Sequence, residues 1–464
     1  MKKKVIIIGA GPAGLAAATE FKKDNLFNVT IIEKSNSVGG LAKTIKYKKN
    51  LFDIGPHRFF TKNEEINNFY KRYAGKDLIK VKRLTRIRYK SIYYNYPLTP
   101  FSTFFKLGLK KSVKIVISYF VSSFFYSKKI SSFEDWVIKN FGKELYLTFF
   151  KTYTEKIWGI SCKKIGSDWA GQRIKGLSLF AVLKSFVYKN YKMKSLIDEF
   201  FYTKKGAGNL YNNIKNKIKT NILFNSTVIK YNFKKKKIKS VIIKDVNGRK
   251  KIIKGDFFLS SSPITETIKN FNIIIPIKIK KIINSLKYRN HIAVQLLITG
   301  KLFKDNWIYI HSPEVKVARI SNYINFSKFM ASSKDLNPIT MEYFCDENSD
   351  FWKMKDKDLI ELAKKEILYL SITNKKNIKD GFVIRSEKAY PTIEKTYQNK
   401  TNSIKNYLVR IKNFVPIGRT GMFKYNNQDH AILTGLIGAR KIMNNPNLDP
   451  WLVNTDAEYH ELKN

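Results

Sequence analysis

The sequence has 464 residues, 44% of them hydrophobic and 14% aromatic, with 87 Lys and Arg against 36 Asp and Glu for a formal net charge of +51. That length excludes a single small module, and that apolar content excludes a disordered chain. Two cysteines, Cys162 and Cys345, exclude a disulfide framework, and neither lies in a Cys/His metal pattern, so a reducing, cytoplasmic setting and no metal centre are expected.

The chain opens MKKKVIIIGAGPAGLAAA, whose basic head and apolar run imitate a secretory signal, although the glycine spacing points elsewhere. Val5–Ile8 is the short all-apolar run of a parallel strand buried on both faces. It leads into Gly9-Ala-Gly11-Pro-Ala-Gly14; then Leu15–Lys23 reads as a helix and Val29–Ile32 as a second strand ending at Glu33. This is a complete β-α-β unit containing a dinucleotide fingerprint. The glycines permit a tight turn and close approach, and the helix N-terminus offers unpaired N–H groups to a pyrophosphate. Glu33 is placed to accept a hydrogen bond from a ribose hydroxyl, and an acid there disfavours a 2′-phosphate, leaving NAD or FAD. Ser37-Val-Gly39-Gly40-Leu-Ala-Lys-Thr44 resembles the second glycine motif of the flavoprotein superfamily of amine oxidases, protoporphyrinogen oxidase and UDP-galactopyranose mutase. That resemblance implies FAD. The superfamily often has Arg where this chain has Ser37 and Leu41.

Further segments resemble the UDP-galactopyranose mutase family in particular. Gly55-Pro-His57-Arg-Phe-Phe60-Thr61 is similar to its GPHxFHT loop, whose first His lies beside the flavin; that position is His57, and the second His is Phe60 here. As chemistry alone, His57 is an imidazole on a constrained Gly-Pro turn, open to a functional or a structural role. Leu145–Trp158 is similar to the segment LYexFFxxYTxKQW, which implies that Tyr153 and Trp158 line a sugar-nucleotide pocket. Read without the family, the two are equally core aromatics of a helical region. Arg173 falls at the first arginine of the family's RxPxR loop, while the second, a clamp on the substrate diphosphate, falls on Leu177.

Tyr288-Arg289 and Arg319-Ile320 resemble the YR and TRI strand motifs of the family's substrate sheet, which implies a substrate contact for Arg289 and a diphosphate contact for Arg319. Its planar fork matches phosphate oxygens bidentately, although a surface arginine on a strand is the plainer alternative. Tyr390 sits like the tyrosine of the YP motif, which implies a place in the same substrate pocket. Pro416–His430 is similar to GRxGxxxY followed by an Asp. This implies flavin contacts for Gly418 and Arg419, a substrate-phosphate contact for Tyr425, and a helix beginning at Asp429 with its N-terminus under the flavin. Ala431–Met443 has the length and small residues of such a helix.

The fold expected from this resemblance is α/β. A discontinuous Rossmann-type FAD-binding domain takes residues 1–95, 200–265 and 405–464, a helical domain 96–199, and a mainly antiparallel substrate-binding sheet domain 266–404. Phe133–Tyr153 is the clearest helical stretch, Phe201–Leu210 a strand, glycine turn and helix start, and Lys237–Lys244 and Gly255–Pro263 contain strands. The implied activity is a mutase that interconverts pyranose and furanose forms of a UDP-linked sugar for surface polysaccharide. Reduced FAD would form an N5–sugar adduct, and His57, Arg319 and Tyr425 would carry catalytic roles. An oxidoreductase acting on an amine, a porphyrinogen or an isoprenoid-linked substrate is the alternative, and Phe60 and Leu177 favour it; a flavin-binding protein without catalysis is a third reading.

The charge fits an anionic partner, yet a Lys-, Ile-, Asn-, Phe- and Tyr-rich composition also follows from A/T-rich coding alone. No nucleic-acid module is present, so a phosphorylated substrate or an anionic membrane surface is the expected partner. The runs Lys234–Lys237 and Lys250-Lys251 read as solvated turns between strands. No stretch reaches the roughly 18 apolar residues of a transmembrane helix. The nearest, Val113–Phe125, contains Lys114 and several Ser and reads as a buried or amphipathic helix, with peripheral contact at the inner membrane face as the alternative.

Overall fold

The computed structural model describes residues 2–167, 169 and 197–454. Lys3–Ile8 forms the centre of a five-stranded parallel sheet, in the order Phe414–Pro416, Phe257–Ser260, Lys3–Ile8, Phe27–Ile32, Asn221–Leu223. Its apolar run is buried because both faces are covered. One face packs against the helices Pro12–Phe21, Gly208–Ile218 and Gln428–Met443. The other packs against a three-stranded antiparallel sheet, Ser226–Lys234, Lys237–Asp245 and Lys250–Lys254. Lys235 and Lys236 form a turn as expected, but Lys250-Lys251 open a strand: the second turn lies one step earlier, where Gly248 N–H bonds the Asp245 carbonyl. The first helix and the C-terminal helix touch backbone to backbone; a Cβ at Gly435 would lie 2.1 Å from the Ala13 carbonyl oxygen.

A second sheet of seven strands runs Ile378–Pro391, Tyr288–Thr299, Leu336–Cys345, Arg319–Asn322, Trp307–Ile310, Thr85–Tyr89, Ile92–Asn95. Every pair is antiparallel except Trp307–Ile310 with Thr85–Tyr89. The hairpin Thr85–Asn95, expected with the dinucleotide-binding part, thus joins the other sheet. Against the second sheet the helices Pro100–Leu107, Leu109–Phe125, Phe133–Phe141 and Lys151–Trp158 surround a core that includes Ile115, Tyr119, Val137, Tyr146 and Phe149. Phe133–Tyr153 is not one helix: it breaks at Gly142 and passes through a π-helical turn, Tyr146–Phe150, just before Tyr153. Such a turn rotates the residues after it relative to the helix before it. Among the described residues, no helix is long and apolar enough to cross a membrane.

Asp53, at the end of the hairpin strand Asn50–Asp53, ties the parts together. Its buried carboxylate accepts from Thr44 Oγ1 (2.5 Å), Tyr202 Oη (2.6 Å) and Ala207 N–H (3.1 Å), and its carbonyl from Tyr323 Oη (2.6 Å) and Thr340 Oγ1 (3.1 Å). None of these partners is a cation, so burial outweighs the hydrogen bonds and pushes the carboxyl up to about 6. The folded state therefore holds a proton that the unfolded chain releases. This contribution is full below the ordinary carboxyl value and is lost as pH rises through about 6. Asp53→Asn is expected to shrink the fall in unfolding free energy between about pH 4 and about pH 7 by about 2–3 kcal/mol, read by denaturant titration at both values.

Candidate functional site

A single cavity of about 1380 Å³ runs from the first glycine loop to the helical part of the molecule. At one end stand Gly9, Gly11 and Ala13 with Glu33 and Gly40. Gly11 is the N-cap of Pro12–Phe21 and supplies no side-chain cap; Pro12 has no N–H, so Ala13, which lines the cavity, carries the first free N–H of this helix end. The Glu33 carboxylate is fixed at the strand end by Ala10 N–H (2.7 Å) and by Ser35 N–H and Oγ (both 2.8 Å). Gly14, Gly39 and Thr44 do not line the cavity. Gly14 lies under Gly9, Gly39 N–H bonds the Ala10 carbonyl, and Thr44 is spent on Asp53 and on Gly208 N–H. Their part is to shape the loop.

The opposite wall comes from the C-terminal segment. Gly418, Arg419, Tyr425 and Asp429 all line the cavity. The helix Gln428–Met443 begins one residue before Asp429, with Asn427 as N-cap in a reciprocal pair with His430: the Asn427 side chain accepts from His430 N–H, and His430 Nδ1 accepts from Asn427 N–H. A second helix N-terminus is thereby aimed into the cavity beside the first. Uncapped N–H groups, a carboxylate at ribose distance in the chain and two convergent positive helix ends suit an anionic dinucleotide.

At the middle, Arg319 donates from Nε and Nη2 to both oxygens of Glu342 (2.6 and 2.5 Å), and His291 Nε2 lies 3.2 Å from Glu342 Oε2. Burial alone raises the Glu342 carboxyl, but the guanidinium and its hydrogen bonds win and hold it at about 2. Arg319 lines the cavity and has Nη1 left for another acceptor. His57 also lines it, with a buried Nδ1 that has no hydrogen-bond partner and a carbonyl that accepts from Gln428 Nε2. Burial, assisted by Arg419 and Arg319, pushes the imidazole down to about 3, so it is neutral.

The far chamber is aromatic. Tyr153 stacks on His311 (centroids 4.6 Å apart, 8° between planes) and meets Tyr309 edge-on, while Trp158, Trp169 and Tyr425 form a triangle with centroids 4.9–5.8 Å apart. Lys156 anchors this helix to the sheet by donating to the carbonyls of Ile310, Ser312 and Val317, and burial pushes its ammonium down to about 8.

Two candidate substrate residues lie behind the lining. Arg289 bonds Asp346 (2.5 Å) and the carbonyls of Phe344 (2.8 Å) and Ile157 (3.1 Å). It therefore caps the C-terminus of the helix that carries Tyr153 and Trp158 and does not itself line the cavity, where a substrate contact was expected. Tyr390 is likewise one layer back: the Arg419 guanidinium lies 4.9 Å from the ring centres of both Tyr390 and Tyr425. Arg173 lies outside the described residues. Sequence reasoning missed Tyr309, His311, Trp169 and Glu342. Tyr309 and His311 had a signal, an i, i+2 alternation about the strand Trp307–Ile310, whereas Glu342 is linked to Arg319 only by strand register.

A family profile described as an NAD(P)-binding Rossmann-like domain matches residues 7–73. The sequence is 31% identical over 169 residues to dTDP-fucopyranose mutase of Escherichia coli, covering 35% of this chain and 43% of that protein. It is 27% identical over 164 residues to a probable UDP-galactopyranose mutase of Klebsiella pneumoniae, covering 34% and 41%. Each match spans less than half the length of the curated relative. The crystal structure of reduced UDP-galactopyranose mutase superposes with a TM-score of 0.82 at 18% identity over 96% of this chain and 94% of that one. The chain thus has the fold of UDP-galactopyranose mutase, built around a Rossmann-like dinucleotide-binding unit, and resembles the sugar-nucleotide mutases in sequence.

Proposed function

We propose that the protein is an FAD-dependent mutase that interconverts the pyranose and furanose forms of a nucleotide sugar, UDP-linked by preference. The observation that carries this reading is the continuity of one cavity from a dinucleotide-binding helix N-terminus, past Arg319, to an aromatic chamber. FAD, when bound and reduced, supplies the nucleophile. The chain's own residues do the rest. The two helix N-termini hold negative charge at the glycine loop and beside Asp429. Arg319, held in plane by Glu342, turns its free donors to the substrate diphosphate, and Tyr425 donates its phenol to the same group. Tyr153, Trp158 and His311 give the sugar apolar and stacking surfaces and exclude water, and neutral His57 positions the ring system without adding charge.

The test is anaerobic incubation of purified protein, with and without dithionite, with UDP-galactofuranose, followed by chromatography. Conversion to UDP-galactopyranose in the reduced sample alone is expected. Loss of flavin colour with an amine, a porphyrinogen or an isoprenoid-linked compound and no sugar conversion favours the oxidoreductase reading, which gains from the apolar Phe60 in the cavity wall. Arg319→Lys keeps the charge opposite Glu342 but loses the fork; kcat/KM for the nucleotide sugar is expected to fall about 100-fold while the thermal midpoint holds, in steady-state assays beside melting curves.

A further inference from the structure

The helix Leu109–Phe125 is apolar on two opposite faces. Ser112, Ile115, Tyr119 and Ser122 are buried in the helical core. The opposite face carries Leu109, Val113, Ile117, Phe120, Phe124 and Phe125 in the open, with Leu109 82%, Phe124 77% and Phe125 80% exposed. Spacings of three and four residues put Leu109, Val113, Ile117, Phe120 and Phe124 in one stripe, with Phe125 at its end, and Phe105 is 73% exposed on the preceding helix. A contiguous exposed stripe of large apolar side chains marks an interaction surface.

Charge identifies the partner. From residue 106 to residue 133 the sequence has 6 Lys and no Asp or Glu. Lys110 and Lys114 are exposed on the stripe itself, and Lys128 and Lys129 are exposed just past its end. A second copy of this chain docked face to face sets these lysines against one another. Anionic headgroups pair with all of them, while the phenylalanines and leucine enter the acyl boundary. We propose that this face docks the protein on an anionic lipid bilayer. Thr103 and Phe104 line the cavity and Phe105 is exposed on the same short helix, so the docked face and the cavity share one element.

The test is sedimentation with vesicles of phosphatidylcholine alone and with vesicles that also contain phosphatidylglycerol. The protein is expected to pellet with the anionic vesicles. Because a strongly basic protein also adsorbs through bulk charge, the deciding variant keeps every charge: the triple substitution Phe120→Ser, Phe124→Ser and Phe125→Ser is expected to lower partitioning about 100-fold or more. Phe124→Trp is a second readout that leaves the core untouched, and its emission is expected to shift to the blue on addition of anionic vesicles. Equal partitioning of the triple variant and the parent overturns the proposal, as does a Phe124→Trp emission that vesicles do not move. A dimer in solution that the triple variant disperses, together with unmoved emission, assigns the face to a second copy instead.

Discussion

Glu342→Ala is expected to destabilise the protein by about 3–5 kcal/mol in equilibrium denaturation, with an unchanged denaturant slope. Glu342 is 1% exposed on the strand Leu336–Cys345, directly opposite Arg319 in the register. It is the anion that both Arg319 and His291 face. Removing it leaves a guanidinium in a low-dielectric site with no counter-charge, and that penalty, not the net worth of the pair, sets the size of the effect. Glu342→Gln keeps one acceptor oxygen for Arg319, loses the charge and sets an NH2 donor where the second oxygen stood, so an intermediate loss is expected. The pH dependence has a fixed sign. The Glu342 carboxyl is held down at about 2, so its contribution is full above the ordinary carboxylate value and is lost as pH falls through about 2. The parent protein therefore loses stability toward acid that the Glu342→Ala variant has already lost, and the two curves converge at low pH. An Ala variant that melts with the parent at neutral pH removes the claim that Arg319 depends on this partner.

The pattern of what the sequence discloses follows from how local each feature is. Val5–Glu33 is legible because strand, turn, helix and second strand lie in one short segment, each with its own period, and all observed bounds fall within three residues of those expected. Gly418, Arg419, Tyr425 and Asp429 are legible through motif resemblance and do line the cavity. Arg289 matches a motif equally well, yet its guanidinium turns to the carbonyls at a helix end, because a strand position fixes where Cα lies and leaves side-chain direction to the neighbours. The Arg319–Glu342 pair is invisible in sequence, since a one-residue shift in register would place Glu342 on the other face. The helix around residue 117 is ambiguous for a different reason. Apolar residues occur all round it, and periodicity alone does not say which face finds a protein partner.

Gly11→Val is expected to yield a folded protein that purifies without flavin, a loss of about tenfold or more in the ratio of flavin absorbance to protein absorbance. Gly11 has φ −78° and ψ −173°, extended backbone that any residue adopts, and a Cβ there meets nothing nearer than the Gly40 Cα at 3.8 Å. The fold itself does not need a glycine at this position. A valine's methyl groups, however, project into the space at the helix N-terminus where a pyrophosphate is to approach the backbone. Gly14→Ala is the contrasting variant: its Cβ would lie 1.9 Å from the Gly9 carbonyl oxygen, so the strand–helix contact must open and stability falls whether or not a cofactor binds. Melting curves with added FAD separate the two effects. A ligand that binds only the folded state at about 100 times its Kd raises stability by about 2.7 kcal/mol, so FAD is expected to raise the midpoint of the parent and of what remains folded of Gly14→Ala, and to leave Gly11→Val unmoved. A Gly11→Val protein that retains the parent's flavin ratio and its shift with FAD would mean that the pyrophosphate does not lie at this helix, and the cofactor assignment of the whole cavity would fall with it.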